Sequence, residues 1–179
     1  MATLTIEAPR IYSARNSMNP DTIGNVKEAD SQTFVAGDLV YPDDSVTADV
    51  DNKCLKICGA DPAKIGGIAL KAATNVTTGN IEIPIEPINS EDTYQMNIYH
   101  ATPASAILNS VQIGDTYEII RATVSSVIAW CVDMAATTNI RVIVVGKHPS
   151  DAGTDLYGRA LVKFLTTDGT NFNMLRFSP

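Results

Sequence analysis

Hydrophobic and polar residues alternate with a period of two along much of this chain. In "TLTIEA", Leu4, Ile6 and Ala8 alternate with Thr5 and Glu7. In "NIEIPIEPI" at 80–88, Ile81, Ile83 and Ile85 face away from Glu82, Pro84 and Glu86. This is the period of a strand with one buried face. Further short apolar runs follow: "LVY" (39–41), "CLKIC" (54–58), "IGGIAL" (65–70), "YQMNIY" (94–99), "TYEIIRA" (116–122) and "VIAWCVD" (127–133). "IRVIVVG" (140–146), "RALVKFL" (159–165) and, at the C-terminus, "NFNMLRF" complete the series. They are rich in Ile, Val, Thr and Tyr and bounded by Gly, Asp, Asn or Pro, as strands are. Many short strands with little helix between them predict a mainly β fold, a β-sandwich or a β-barrel-like domain. "IRVIVVG" is apolar on both faces except at Arg141 and is expected to be a central strand. In "VIAWCVD", Ile128, Trp130 and Val132 are expected to face inward.

At most one or two short helices are expected. In "TPASAILNS", Thr102 can cap and Pro103 suits the first helical position, which predicts about two turns. "DPAKIGG" at 61–67 begins alike, but Gly66 and Gly67 stop it within a turn.

Residues 9–33 carry scattered apolar positions, two prolines and no sustained period. So long a stretch without its own element is unusual inside a compact domain. Residues 1–33 therefore read as an N-terminal strand and extended arm, and 34–179 as a β-rich domain. The arm is either a disordered leader or is ordered by something outside its own domain. In the second case Arg10, Ile11, Tyr12, Arg15, Met18 and Ile23 are its candidate interface anchors. "VAGDLVY" (35–41) and "QIGDTYE" (112–118) both set Gly-Asp just before a strand. Gly tolerates positive φ and Asp can bond the backbone two residues on, so each predicts a turn feeding a strand. The echo raises the idea of two similar half-barrels.

The strand at 81–88 poses a problem, because Pro84 and Pro87 lack the N–H that a ladder needs. The expected solution is an edge strand, with Ile81, Ile83 and Ile85 packed inward or onto a neighbour. Pro84 and Pro87 would then block uncontrolled pairing. The alternative is that Pro84 sits at a bulge.

Composition narrows the function. The chain has 179 residues, enough to bury a core unaided. Charged residues are 18%, below the usual ~25%, so it is neither a highly charged disordered chain nor a coiled coil. Thirteen basic against twenty acidic residues leave a formal charge of −7, unsuited to wrapping nucleic acid through phosphate contacts. The N-terminus has no signal pattern and no apolar run of membrane-spanning length occurs, so a soluble cytoplasmic product with no membrane partner is expected. The sequon Asn75-Val76-Thr77 matters only in a eukaryotic secretory route, which nothing here supports.

Candidate chemistry is sparse. Cys54, Cys58 and Cys131 are too few for a disulfide scaffold. Cys54 and Cys58, four apart on a strand, would lie roughly 13 Å apart, too far to share a metal. His148, Ser150 and Asp151 supply triad residue types, but from one loop, whereas triads are assembled across a fold. His100 ends a strand and can face solvent. Asp43, Asp44, Asp49 and Asp51 lack the spacing of a calcium hand, and Gly66-Gly67 is no phosphate loop. No catalytic residue, metal site or cofactor is expected, and the chain reads as a non-enzyme.

The order of segments is more informative than any single residue. "FVAGDLVY", "KIGGIALKAAT", an alternating strand, "IGDTYEI", "AWCVDM", "IRVIVVG" and "GRALVKF" together resemble the small β-rich cement, or head-decoration, proteins of tailed bacteriophages. The resemblance spans roughly 34–165 and rests on strand-and-turn patterns. It implies an all-β module on the outside of a virion capsid, assembled in the bacterial host's cytoplasm. Its partners would be the major capsid protein and copies of itself in a trimer or trimer-like cluster. It offers no catalytic residue to carry over. The competing expectations are a tail, fibre or vertex protein that recognises a host receptor, and a small β-barrel enzyme.

Overall fold

The computed structural model describes residues 2–4, 6–13, 23–43, 54–59, 62–77, 81–124, 126–136, 138–166 and 173–174. For 11–13, 23–25, 54 and 173–174 it describes the backbone alone. In these residues the fold is mainly β, with no α-helix. The strands are β1 (Arg10–Ser13), β2 (Ile23–Lys27), β3 (Leu39–Asp43), β4 (Cys54–Ile57), β5 (Lys64–Ile65), β6 (Gly67–Ala69) and β7 (Glu82–Pro87). They continue as β8 (Thr93–Tyr99), β9 (Thr116–Val124), β10 (Val127–Asp133), β11 (Val142–Lys147), β12 (Arg159–Phe164) and β13 (Asn173–Met174).

The chain forms two compact units, one of residues 17–88 with 173–179, the other of residues 1–16 with 89–172. The sequence places its expected boundary elsewhere, at 33/34. In the 17–88 module the strand order is β2-β7-β6-β3-β4, with β13 added in parallel to β5. In the 89–172 module it is β8-β12-β11-β9-β10, with β1 antiparallel to the start of β8. There β10 returns in parallel to β8 through Val132↔Ile98 and Asp133↔Tyr99. That short closing ladder makes the sheet ring-bonded, not a true barrel.

The two modules share one plan. In chain order β2, β3, β4, β6 and β7 correspond to β8, β9, β10, β11 and β12, and every pairing matches in direction. Even the parallel closure recurs, as the bridge Glu28↔Leu55 in one and Ile98↔Val132 in the other. Register agrees as well: Val40↔Gly67 matches Tyr117↔Val142, and Ile68↔Glu86 matches Ile143↔Lys163. The Gly66 N–H donates to Val40 O at 2.9 Å, as that of Arg141 does to Tyr117 O at 2.9 Å. Glu28 N–H donates to Ile81 O at 3.0 Å, as Ile98 N–H does to Gly158 O at 2.9 Å. In this register Gly37 meets Gly114, Asp38 meets Asp115, and Cys54 meets Cys131. The Gly-Asp echo thus marks a tandem pair of five-stranded modules.

Each module buries its own core. Phe34, Val40, Leu55, Ala69, Ile83 and Ile85 pack together in the first. Ile6, Ala106, Ala122, Ala129, Cys131 and Tyr157 do so in the second, where Tyr94 and Phe164 also meet edge to face at 5.1 Å. Burying an Ile or Phe contributes roughly 1.5–3 kcal/mol, so alternation along each strand decides which face turns in.

Several expectations are corrected. The proline-bearing strand β7 is not an edge, because β2 flanks it on one side and β6 on the other. Leu70 N–H donates to Pro84 O, and Ile88 N–H to Gly66 O, so the backbone groups of 84, 86 and 88 face β6. Pro84 therefore lies where the β6 ladder ends, since β6 stops at Ala69. On the other side Ile83 and Ile85 pair with Val26 and Ile23, an irregularity that leaves Pro84 opposite a bulge in β2. Pro87 falls beyond the last described pair with β2. The missing donor of Pro84 thus sits where the β6 ladder has run out.

The two-turn helix is replaced by two single 3-10 turns, Pro103–Ser105 and Leu108–Ser110. Thr102 occupies the cap position without a side-chain bond, and Pro103 follows it. Between the turns, Ile107 bridges Leu156, and Tyr157 N–H donates to Ala106 O at 2.9 Å. That pairing holds Ile107 extended and interrupts the helix. Near the N-terminus Thr3 makes a bridge to Leu156 rather than a strand. β11 is central, between β9 and β12, as expected. In β10, Trp130 and Val132 are buried, but Ile128 is 46% exposed. The β9–β10 hairpin runs past the point where β8 and β11 pair with it, so its tip loses cover.

Candidate functional site

The expected arm anchors take different places. Arg10 and Ile11 pair with Gln95 and Tyr94 through β1, and Ile23 pairs with Ile85 through β2. Residues 10–13 and 23–27 of the arm are therefore strands of this chain's own sheets. Tyr12 lies in β1, and Arg15 and Met18 lie outside the described residues. The exposed Arg10 guanidinium donates to Glu7 at 2.8 Å. Ile83 and Ile85 are fully buried, Ile81 packs partly against them, and Pro84 and Pro87 are half-buried. Ile83 and Ile85 thus belong to the core, while Ile81, Pro84 and Pro87 keep part of their surface open.

The titratable loop is a clamp. The Arg159 guanidinium donates to Asp151 at 2.5 and 3.0 Å, and the Arg159 backbone N–H donates to it at 2.7 Å. His148 Nδ1 lies 3.6 Å from the same carboxylate and accepts the Ser150 backbone N–H at 3.3 Å. Burial alone pushes the Asp151 carboxyl up. The Arg159 hydrogen bonds outweigh it, with the charge of Arg159 and of His148 when protonated, and hold the carboxyl below its ordinary range. Asp151 is thus spent on fixing the 148–159 loop. His100 Nδ1 accepts the Thr102 N–H at 2.9 Å, another local turn contact.

Cys58 and Cys131 are free, buried thiols. The Cys58 thiol donates to Lys64 O at 3.3 Å. Burial, then the nearby Asp133, pushes the Cys131 thiol up to about 12, and burial raises Cys58 in the same sense. Asp43 pairs with Lys56, while Asp44, Asp49 and Asp51 lie outside the described residues. Among the described residues no group of three or more His, Cys, Asp or Glu side chains could hold a metal ion. No described helix is long and apolar enough to cross a membrane.

What the surface does present is apolar. Six large hydrophobic side chains among the described residues are well exposed: Val35, Leu70, Ile113, Val127, Ile128 and Val145. Four of them surround the same turn in the two modules. Gly37 N–H donates to Ala69 O at 2.7 Å; Val35 lies two residues before this bond and Leu70 one after it. Gly114 N–H donates to Val144 O at 2.8 Å, with Ile113 just before and Val145 just after. Leu70 and Val145 are register equivalents, 43% and 40% exposed. Val35 and Ile113 are one place apart in that register, behind the equivalent buried residues Phe34 and Val111. The sequence reading does not single these residues out. Laying the two Gly-Asp turns over one another sets Val35 against Gln112 and Ala36 against Ile113, so the sequence alone does not align these positions.

Compared with known proteins, the chain matches no family model, no curated protein and no solved structure.

Proposed function

We propose that this chain is a structural virion protein that binds the outer surface of a tailed-phage capsid and stabilises contacts between major capsid protein subunits. The observation that carries the reading is the tandem five-stranded module. A chain that repeats one binding unit suits a partner that repeats one surface, and a capsid lattice is such a partner. The order of strand and turn segments, which resembles the cement proteins, supports the same assignment. Copies of the chain would associate in a trimer-like cluster on the shell exterior.

The energetics require no reaction. A standard interface buries roughly 1,600 Å² in total. Smaller contacts shared among neighbouring subunits hold when engaged together. Whatever binds only the assembled shell stabilises it by mass action.

Copy number per purified particle tests the proposal, by gel densitometry against the most abundant structural protein. A ratio near one, or a simple fraction, is expected of a lattice-wide cement. A handful of copies would favour a tail, fibre or vertex protein that recognises a host receptor. Absence from particles would overturn the structural reading.

A further inference from the structure

We infer that the N-terminal segment ending at Ser13 is an exchangeable strap, which in a cluster of copies seats on the 89–172 module of a second copy of this chain. The inference rests on the clustering of copies proposed above and names the segment that joins them.

The ring β8-β12-β11-β9-β10 closes through Val132↔Ile98 and Asp133↔Tyr99, and all five of its strands come from 89–172. The strap is added to a ring that is already closed. Its β1 lies on the edge of β8 opposite β12, at Thr93–Gln95, just ahead of the point where β10 joins that edge. Before β1, the Leu156 N–H donates to Ala2 O at 2.8 Å and Leu156 O accepts the Leu4 N–H at 3.0 Å. The Ala2 N–H donates to Asp155 at 3.2 Å, and the Glu7 N–H to Asn97 Oδ1 at 2.7 Å. Ile6 is buried in a cluster with Ala106, Ala122, Ala129, Cys131 and Tyr157. The seat is thus an apolar socket of mostly small residues beside an extended backbone edge, the form of site that takes one more strand.

The strap is linked to its seat only through the other module. β1 ends at Ser13, β2 begins at Ile23 within 17–88, and the ring starts at Thr93. It can therefore leave without unpairing any strand of the ring, as a local opening does. An empty seat keeps its apolar socket wet and its strand edge open, a state that recruits another strand. The strap of a second copy carries the same Ile6 and the same backbone groups, so it restores every contact, which is the basis of domain swapping. Copies held side by side offer that second strap at high effective concentration.

The test uses the full chain in concentrated solution, without shells. In a Cys54→Ser background, Ser13→Cys and Thr93→Cys are made singly and together; these antiparallel partners lie within disulfide reach. The two single variants are co-expressed in equal amounts, purified, oxidised mildly and run on a non-reducing gel, and a 13–93 link is confirmed by peptide mass. Random exchange should link about half of the Ser13→Cys straps to Thr93→Cys chains, and the double variant should run as linked multimers. Adding Ile6→Asp to the Ser13→Cys chain puts a charge into the socket and should lower the linked fraction about ten-fold or more. An unchanged fraction would overturn the seat. So would a double variant that forms no 13–93 link at all. If the double variant links only within each chain and the co-expressed singles do not link, exchange is overturned, while the capsid reading stands or falls on copy number.

Discussion

Gly37 and Gly114 hold the same backbone conformation in corresponding turns. Their φ angles are +94° and +96°, and each N–H reaches the carbonyl of the matching strand residue, Ala69 or Val144. A side chain is disfavoured there because Cβ crowds the backbone at positive φ. At Gly114 there is open space around the missing Cβ, so the penalty is conformational alone. Gly114→Ala should therefore cost about 1 kcal/mol, read as a lower urea midpoint. Gly59→Ala, also in open space but without positive φ, should stay within about 0.5 kcal/mol of wild type.

Gly67 is required for a different reason. A Cβ at this position would lie 2.7 Å from the Glu86 carbonyl oxygen, a backbone atom that cannot swing aside. Gly67→Ala should destabilise by roughly 1–3 kcal/mol as β6 is pushed from β7. Amide exchange gives a local check: the Ile88 N–H, bonded to Gly66 O at 3.1 Å, should lose protection before the amides of the other module.

Sequence and structure part company at identifiable places. Alternation revealed the strands because burial on one face imposes period two. It could not reveal who pairs with whom, so β7 reads as an edge although β2 and β6 flank it. The helix at 102–110 looked sound locally and lost to long-range pairing of Ile107 with Leu156. Arm residues 10–13 lack a sustained pattern yet form a strand, because β8 supplies the backbone partners. The Gly-Asp echo was the most valuable clue, since Gly37 and Gly114 share a positive φ in turns that feed corresponding strands.

Acid should weaken the 148–159 loop. The folded carboxyl of Asp151 titrates below its unfolded value, so its contribution is present above the unfolded pKa, about 3.9, and is lost as pH falls through the folded pKa. Asp151→Asn should cost about 1–3 kcal/mol at pH 7. The gap between wild type and variant, followed by chemical denaturation, should narrow below about pH 4. A gap that stayed constant to pH 2 would count against the clamp.

Thiol reactivity offers a test of burial. With Cys131 raised to about 12 and Cys58 raised as well, neither is a thiolate at pH 8 in the folded chain. A Cys54→Ser chain should give almost no reaction with Ellman's reagent at pH 8, then release two equivalents on unfolding in guanidinium. Rapid native labelling would show that the modules open.

The pairing of β1 with β8 bears on how the chain is made. Ser13 lies opposite Thr93, so its partner leaves the ribosome about 80 residues later. Throughout that interval the 17–88 strands emerge before the β8 partner of the first segment has been made. At the other end, β13 joins β5 only after all of 89–172 has been translated. Neither module is thus complete when its own central stretch of sequence is, and cutting the gene between codons 88 and 89 would deprive each half of a strand that the other encodes.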